Sequence, residues 1–343
     1  MHKIIISDHA HVGEARRFAT LLASEAGFDT SQIAKIAIIV TEAAMNIIKH
    51  ANAEGEILLE VYQDSFKSEF QLYAIDEGRG VSNTSICIQD GYSTANTPGI
   101  GLGAIKRLTS QFEFYSSVNQ GTVLWAKIEK PLPTKSNALI ASKSSSLLEW
   151  GVICVPMAQE EVSGDAWSTY TMADNTQLFM LVDGLGHGPD AYLAASEAVK
   201  IFNEKSHASL TDILLAQHTA LKKTRGAAIA IIKIDPLCQQ ATYLGVGNIS
   251  GTILTSLKHY SMLSYSGIVG HQFRTIHEMK YPFNSKSILV MHSDGLSHQW
   301  GKIYSGELLR QSPATIAGIL YRGFKHKRDD TSVLVAKVKS ISR

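Results

Sequence analysis

Residues 131–146, PLPTKSNALIASKSSS, break a chain that is otherwise regularly patterned in apolar side chains. Two prolines and a serine cluster disfavour both helix and strand, which is the composition of a linker. The segments on either side, 1–130 and 147–343, are each long enough for a core of their own. With 45% hydrophobic and 18% charged residues, the chain has apolar material for two ordinary globular cores. It therefore reads as two domains joined at 131–146, with no internal repeat.

Charge and cysteine use narrow the class. Lysine plus arginine number 32 against 31 acidic residues, so no net field draws the protein to nucleic acid or to an anionic membrane, and neither is expected as a partner. Cys87, Cys154 and Cys238 are scattered, without the paired spacing of a zinc site or a disulfide framework, which suits a reducing compartment. The first eight residues hold too short an apolar run for a signal peptide, and the run 33–40 is interrupted by Lys35. A soluble, cytoplasmic protein is expected.

In the first half, Asp8 is placed to cap a helix running to residue 26, and Thr30 or Ser31 a second running to residue 51. Residues 56–63 and 69–75 alternate like strands, a glycine-rich stretch opens a helix near Gly101, and 112–117 and 122–129 read as a closing hairpin. The pattern predicts an α+β sandwich. On the second helix Glu42, Asn46 and His50 recur every four residues and so share one face. A carboxylate beside an amide suits a bound cation and a reacting hydroxyl, although the triplet alone also fits a solvated polar stripe. Further on, an apolar strand runs into Asp76-Glu-Gly78-Arg-Gly80, and Gly99-Ile-Gly101-Leu-Gly103 stands at a helix start. Glycines there let backbone N–H groups approach phosphates at the positive end of a helix. Asp76 is placed to accept a hydrogen bond from an exocyclic amino group such as that of adenine.

Taken in order, Glu42-Xaa3-Asn46, Asp76-Xaa-Gly78-Xaa-Gly80, Gly99-Xaa-Gly101-Xaa-Gly103 and Gly121-Thr122 resemble the N, G1 and G2 boxes of the GHKL (Bergerat-fold) ATPases over residues 10–130. The wording TEAAMNIIKHA is most similar to the small anti-sigma-factor serine/threonine kinases of the RsbW and RsbT type. The resemblance implies Asn46 as the Mg²⁺ ligand on ATP and Glu42 as the base for the substrate hydroxyl. It further implies Asp76 as the adenine reader, with Gly78, Gly80, Gly99, Gly101, Gly103 and Thr122 lining the nucleotide and residues 81–98 as a lid. Its family phosphorylates small STAS-domain antagonist proteins.

The second half predicts strands at 151–156, 177–182, 227–234, 241–246, 251–255, 287–291 and 332–337, with helices at 189–203 and 211–223 and one more before the last strand. Such a mix suggests sheets packed between helix layers. Asp165, Asp183, Asp294 and the pair Asp329-Asp330 each lie at or beside a strand-like run. Any one of them suits a turn. However, FMLV before Asp183 and ILVMHS before Asp294 would leave carboxylates at the ends of core strands, where they are costly unless paired or bound to cations. Converging carboxylates favour Mg²⁺ or Mn²⁺, and such a centre can acidify a water and clamp a phosphate without a covalent protein nucleophile.

Gly164-Asp165, Asp183-Gly184-Xaa-Gly186-His187-Gly188, Ser293-Asp294-Gly295 and Asp329-Asp330-Thr331 together resemble the PPM metal-dependent phosphatases, in particular their SpoIIE branch. TRGAAIAI and VGN at 246–248 bring the short RsbX-type members nearest. The implied fold is an α-β-β-α sandwich. The implied ligands are Asp183 bridging two metals, the Gly184 carbonyl, Asp165, Asp294 and either Asp329 or Asp330. The chain departs from many SpoIIE domains in having no second acid soon after Asp165. His187, between two glycines, suits a tight turn, and the lone His292 and His298 read as structural. The combined resemblance implies a bifunctional regulator that phosphorylates and dephosphorylates a STAS-domain antagonist or stressosome partner, acting on a sigma-factor switch. Its rivals are an ATP-dependent binding module, sequestering a sigma factor or activating an enzyme, fused to a phosphatase, and a general small-phosphoester hydrolase.

Overall fold

The computed structural model describes residues 1–51, 54–64, 67–88, 101–130, 146–255, 258–302 and 308–339. It forms two compact units, Met1–Ala138 and Leu139–Arg343. The predicted linker up to residue 145, residues 89–98 of the predicted lid, and Gly99 lie outside the described residues.

The first unit runs β1 (His2–Ile6), α1 (His9–Glu25), α2 (Thr30–His50), β2 (Gly55–Gln63), β3 (Ser68–Asp76), α3 (Thr84–Cys87), α4 (Gly101–Leu108), β4 (Gln111–Ser117) and β5 (Gly121–Glu129). Its five strands are ordered β1-β2-β3-β5-β4 with every neighbour antiparallel. Asp8 caps α1 by accepting the Ala10 and His11 N–H groups. The cap of α2 is Asp29 rather than Thr30 or Ser31. Its carboxylate accepts the Gln32 N–H at 2.8 Å while the Gln32 side chain accepts the Asp29 N–H at 3.1 Å. This reciprocal box satisfies two otherwise orphaned donors, and the acid also suits the helix dipole.

Ile36, Ile39, Val40, Ala43 and Ile47 of α2 pack on Ile57, Leu59, Leu72, Ala74 and Leu124, alternate positions of three strands. By length and composition alone α2 is apolar enough to cross a membrane, but here that apolar face is buried on the sheet. Each buried Ile, Leu or Val side chain of this set contributes about 1.5–3 kcal/mol. The flank of the helix adjoining this buried face carries the polar triplet.

The second unit runs β6 (Leu148–Val155), β7 (Asp165–Thr171), β8 (Gln177–Gly184), α5 (Pro189–Lys205), α6 (Leu210–Ala220), β9 (Ala227–Asp235), β10 (Gln240–Val246), β11 (Ser250–Leu254), β12 (His259–Met262), β13 (Gly267–Ile268), β14 (Gln272–Phe273), β15 (Met279–Pro282), β16 (Ile288–His292), α7 (Pro313–Phe324) and β17 (Thr331–Val338). The helix predicted at 211–223 ends at Ala220 and tightens into a 3-10 turn, Leu221–Lys223. Two five-stranded sheets, β15-β10-β9-β8-β7 and β12-β11-β16-β17-β6, face each other across one core. Phe179, Leu181, Ile232 and Tyr243 of the first meet Val152, Leu289, Met291 and Leu334 of the second.

Ala194, Ala198, Phe202, Ile213 and Leu214 of α5 and α6 cover the outer face of the first sheet. Against the second sheet α7 lies so close that a Cβ on Gly151 would come 2.3 Å from Ala314 Cα. A side chain there would push backbone against backbone. The result is the predicted α-β-β-α sandwich, following an α+β ATPase-like unit.

Candidate functional site

Two polar clusters form, one in each unit. In the first, α2 brings Glu42 and Asn46 against the start of α4. A Cβ on Gly101 would lie 2.7 Å from Glu42 Oε2 and 3.7 Å from Asn46 Oδ1, so a side chain there would displace the Glu42 carboxylate from its place beside the helix start. Asn46 Nδ2 is buried and has no hydrogen-bond partner. Native interiors rarely leave such a donor unsatisfied, and its solitude is a reason to expect a ligand.

Asp76, the last residue of β3, is buried. It accepts the Gly78 N–H at 2.7 Å and the Thr122 hydroxyl from β5. Gly78 is wedged beneath the end of α2, where a Cβ would approach His50 O to 2.3 Å. His50 is held below its ordinary pKa chiefly by burial, against an opposing pull from Asp76. Gly80 turns with a positive φ of 61°, and Gly103 is buried inside α4. The structure thus groups Glu42 and Asn46 with Gly101, and Asp76 with Gly78 and Thr122. A Mg²⁺–nucleotide fits this donor set, with an amide oxygen facing a glycine-lined helix start.

In the second unit, strand register does most of the assembly. Asp165 opens β7 directly opposite Asp183 of β8. The two sheets are stitched at this end by Ser293, whose hydroxyl donates to Asp165 Oδ2 at 2.6 Å and accepts the Ser332 N–H at 3.1 Å. Asp294, next after Ser293, accepts a hydrogen bond from Asn248 Nδ2 at 2.7 Å. The Gly184 N–H donates to Gly164 O at 3.0 Å.

The neighbouring acids at 329 and 330 differ in what they touch. Asp330 accepts the Met157 and Gly164 N–H groups, one on each carboxylate oxygen, both at 2.8 Å. Among the described residues Asp329 accepts only the adjacent Asp330 N–H, at 3.0 Å, and it feels the charge of Asp294.

The electrostatics show which acids confront one another. Asp183 is pushed far above the carboxylate range, first by burial and then by Asp165, Asp294 and Asp329. Burial likewise raises Asp165, with Asp330 and Asp329 adding to it and the Ser293 and Ser332 hydrogen bonds opposing. Asp329 is raised by burial and by Asp294. Like charges held this way favour either protons or cations. Among the described residues no group of three or more His, Cys, Asp or Glu is arranged closely enough to hold a metal ion, so the site is carried by strand register and by the acids' effect on one another. The oxygen-only donor set fits hard divalent ions.

The histidines sort by burial. His187 is exposed and its Nδ1 lies 2.7 Å from Glu160 Oε1. His292 is buried, lies 2.8 Å from Ser293 O and accepts from Trp300 Nε1 at 3.1 Å, and burial pushes it down to about 4. His298 Nδ1 lies 3.4 Å from Ser250 Oγ. The sequence motifs contain Ser293, Asn248 and Arg225 without giving any of them a role, and Glu160 lies outside those motifs. Arg225 pairs with Asp190 at 2.8 Å.

Residues 5–128 match the histidine kinase-like ATPase domain, and residues 173–339 match the stage II sporulation protein E (SpoIIE) family. The serine/threonine-protein kinase RsbT of Bacillus subtilis is 34% identical over 112 residues, covering 33% of this chain and 84% of RsbT. The phosphoserine phosphatase RsbX of the same organism is 29% identical over 143 residues, covering 40% of this chain and 69% of RsbX. A chain solved in work on the bacterial stressosome superposes with a TM-score of 0.52 at 26% identity, covering 55% of this chain and 99% of its own length. The RsbU and RsbW domains of a Mycobacterium tuberculosis protein share the fold, with a TM-score of 0.50 at 14% identity over 57% of this chain and 62% of that one. The chain accordingly belongs to the RsbT-type serine/threonine kinase family in its histidine kinase-like ATPase unit and joins that unit to a SpoIIE-type PPM phosphatase domain.

Proposed function

We propose that this chain is a cytoplasmic, bifunctional signalling regulator that adds a phosphoryl group to, and removes it from, a serine or threonine of a STAS-domain partner in a sigma-factor or stressosome switch. The observation that carries the proposal is the presence in one chain of both clusters, Glu42–Asn46–Gly101 and Asp165–Asp183–Asp294–Asp329. Joining them makes the second encounter with one partner effectively intramolecular.

In the first unit, Asp76 and Thr122 read the adenine edge, and the backbones of Gly78, Gly80, Gly101 and Gly103 approach the phosphates. Asn46 holds the nucleotide's Mg²⁺ through its amide oxygen. Glu42 receives the proton of the attacking hydroxyl as that oxygen bonds to the γ-phosphorus and ADP leaves. Transfer of this kind depends on positioning and charge, which the contact between α2 and Gly101 provides.

In the second unit, Asp183, the Gly184 carbonyl, Asp165, Asp294 and Asp329 hold Mg²⁺ or Mn²⁺. Bound divalent ions supply an acidified water and neutralise the phosphoryl oxygens. Ser293 and Asn248 fix the orientations of Asp165 and Asp294, a supporting role that commonly decides metal affinity. Asp330, with both oxygens on backbone N–H groups, ties β17 to the loop before β7 rather than serving as a ligand.

The test is a phosphate-affinity gel of a STAS-domain protein from the same organism. It should shift with ATP and Mg²⁺ and return when ATP is removed and Mn²⁺ added. A protein that binds ATP yet never shifts any STAS partner would favour the ATP-dependent binding module. Hydrolysis of small phosphoesters far faster than of phosphoprotein would favour a general hydrolase.

A further inference from the structure

Arg225 stands outside the carboxylate cluster, yet the backbone fixes it beside the Asp183 turn. Strands β8 and β9 pair Asp183 with Ala228 and Gly184 with Ala227, and the pairing continues as the Leu185 N–H donates to Gly226 O at 3.0 Å. On the other side His271 Nε2 lies 2.9 Å from Arg225 O, and Ala227 and Val269 exchange two backbone hydrogen bonds. The residue before Gly226 is therefore anchored where the chain leaves the sheet, level with the carboxylate end.

Its side chain reaches over the turn. A Cβ on Gly186 would lie 3.0 Å from Arg225 Nη1, so the glycine leaves that space to the guanidinium. Arg225 Nη2 meets Asp190 Oδ2 at 2.8 Å, with the two side chains 50% and 61% exposed. Exposed pairs of this kind are weak. A guanidinium is a planar fork of five donors suited to two oxygens at once, and a phosphate dianion offers it more charge than a carboxylate does.

Resting on the phosphatase reading above, we propose that Arg225 is the phosphate-binding residue of the second unit. It releases Asp190 and takes two oxygens of the phosphoserine or phosphothreonine phosphate, and afterwards of inorganic phosphate, presented at the Asp183 turn. Asp190 acts as the counter-ion that parks the guanidinium between turnovers. The bond broken is an ion pair and the bond formed is another, so no proton or electron changes hands. A purely structural arginine would instead pin the turn, and its loss would weaken the carboxylate centre itself.

The two roles separate in calorimetric titrations of the full chain, first with Mn²⁺ and then, Mn²⁺-loaded, with inorganic phosphate. Losing a charge-assisted contact of this type weakens phosphate binding by about 10- to 100-fold. That loss is expected for Arg225→Ala, with Mn²⁺ affinity unchanged, a raised KM for p-nitrophenyl phosphate and a smaller change in kcat. Arg225→Lys should recover part of the loss, and Asp190→Asn should bind phosphate more tightly than wild type. Phosphate affinity equal to wild type in Arg225→Ala would overturn the assignment, as would loss of Mn²⁺ binding in Arg225→Ala and Arg225→Lys alike, which would mark a structural role. Failure of the wild-type chain to bind Mn²⁺ would be a different result, removing the phosphatase reading and this assignment with it.

Discussion

Replacing Asp183 with asparagine should stabilise the metal-free second unit at neutral pH while ending its response to Mn²⁺. Burial and three acidic neighbours hold Asp183 above the ordinary carboxylate range, so in the absence of metal its charged form opposes folding. The sign follows from proton binding. A carboxyl whose folded pKa exceeds its unfolded value binds more protons when folded, so stability falls as pH rises from about 4 towards the elevated pKa.

Each unit of elevation corresponds to about 1.4 kcal/mol, and the asparagine removes both the elevated group and one like charge beside Asp165. Asp183 is pushed up to about 9, so the extra proton stays bound to the folded state across pH 5 to 7.5 and the gain should differ by about 3 kcal/mol between those pH values, or about 6–12 °C in Tm for a unit of this size. The assay is scanning calorimetry of the full chain in EDTA at pH 7.5 and pH 5, following the transition that Mn²⁺ shifts in wild type. The gain should be present at pH 7.5 and shrink at pH 5, where keeping that proton on folded wild type costs less. A variant that melts lower than wild type at pH 7.5, or whose gain ignores pH, would refute the clustering of these acids.

Four further outcomes follow from the same geometry. Glu42→Gln should slow phosphoryl transfer by about 10²- to 10⁴-fold while nucleotide affinity, read by titration with a fluorescent ATP analogue, stays within a few-fold of wild type. Asp329→Asn should weaken Mn²⁺ binding and, because burial and Asp294 raise Asp329 as well, raise the metal-free Tm at neutral pH by less than Asp183→Asn does. In contrast, Asp330→Ala should leave the Met157 and Gly164 N–H groups unpaired and cost about 1–3 kcal/mol for each group that stays buried, seen as a lower Tm with or without metal. Gly151→Ala should lower the Tm of the second unit by forcing α7 away from β6, at about 1–3 kcal/mol, without altering ATP binding.

Periodic features were legible in the sequence, and contacts between distant segments were not. Helix α2 announces itself through its 3.6-residue apolar repeat, and β3, β8 and β16 through runs too apolar for anything but a core. The α2 cap was misplaced because Thr30 and Ser31 are good capping residues in isolation, while the reciprocal bond between Asp29 and Gln32 decides the matter. Strand β1 escaped notice because HKIII at a sheet edge turns only Ile4 and Ile6 inward.

β7 escaped for a related reason. DAWSTYT is an edge strand with little buried surface, yet its register sets Asp165 opposite Asp183. The acids themselves could be picked out, since a carboxylate after a core strand needs a reason. Their partners Ser293 and Asn248, the contact of Glu160 with His187, and the anchoring of Arg225 depend on how two sheets and two loops meet. No local pattern encodes that. The division of labour between Asp329 and Asp330 likewise required the backbone of residues 157 and 164.

The central claim is that one chain both writes and erases a phosphoryl mark, and intact mass spectrometry of a STAS-domain partner at steady state tests it most directly. With ATP, Mg²⁺ and Mn²⁺ all present, wild type should hold the partner at an intermediate level of phosphorylation. Asp183→Asn should drive the level up and Glu42→Gln should drive it to nothing. Identical partner masses across the three proteins would contradict the account.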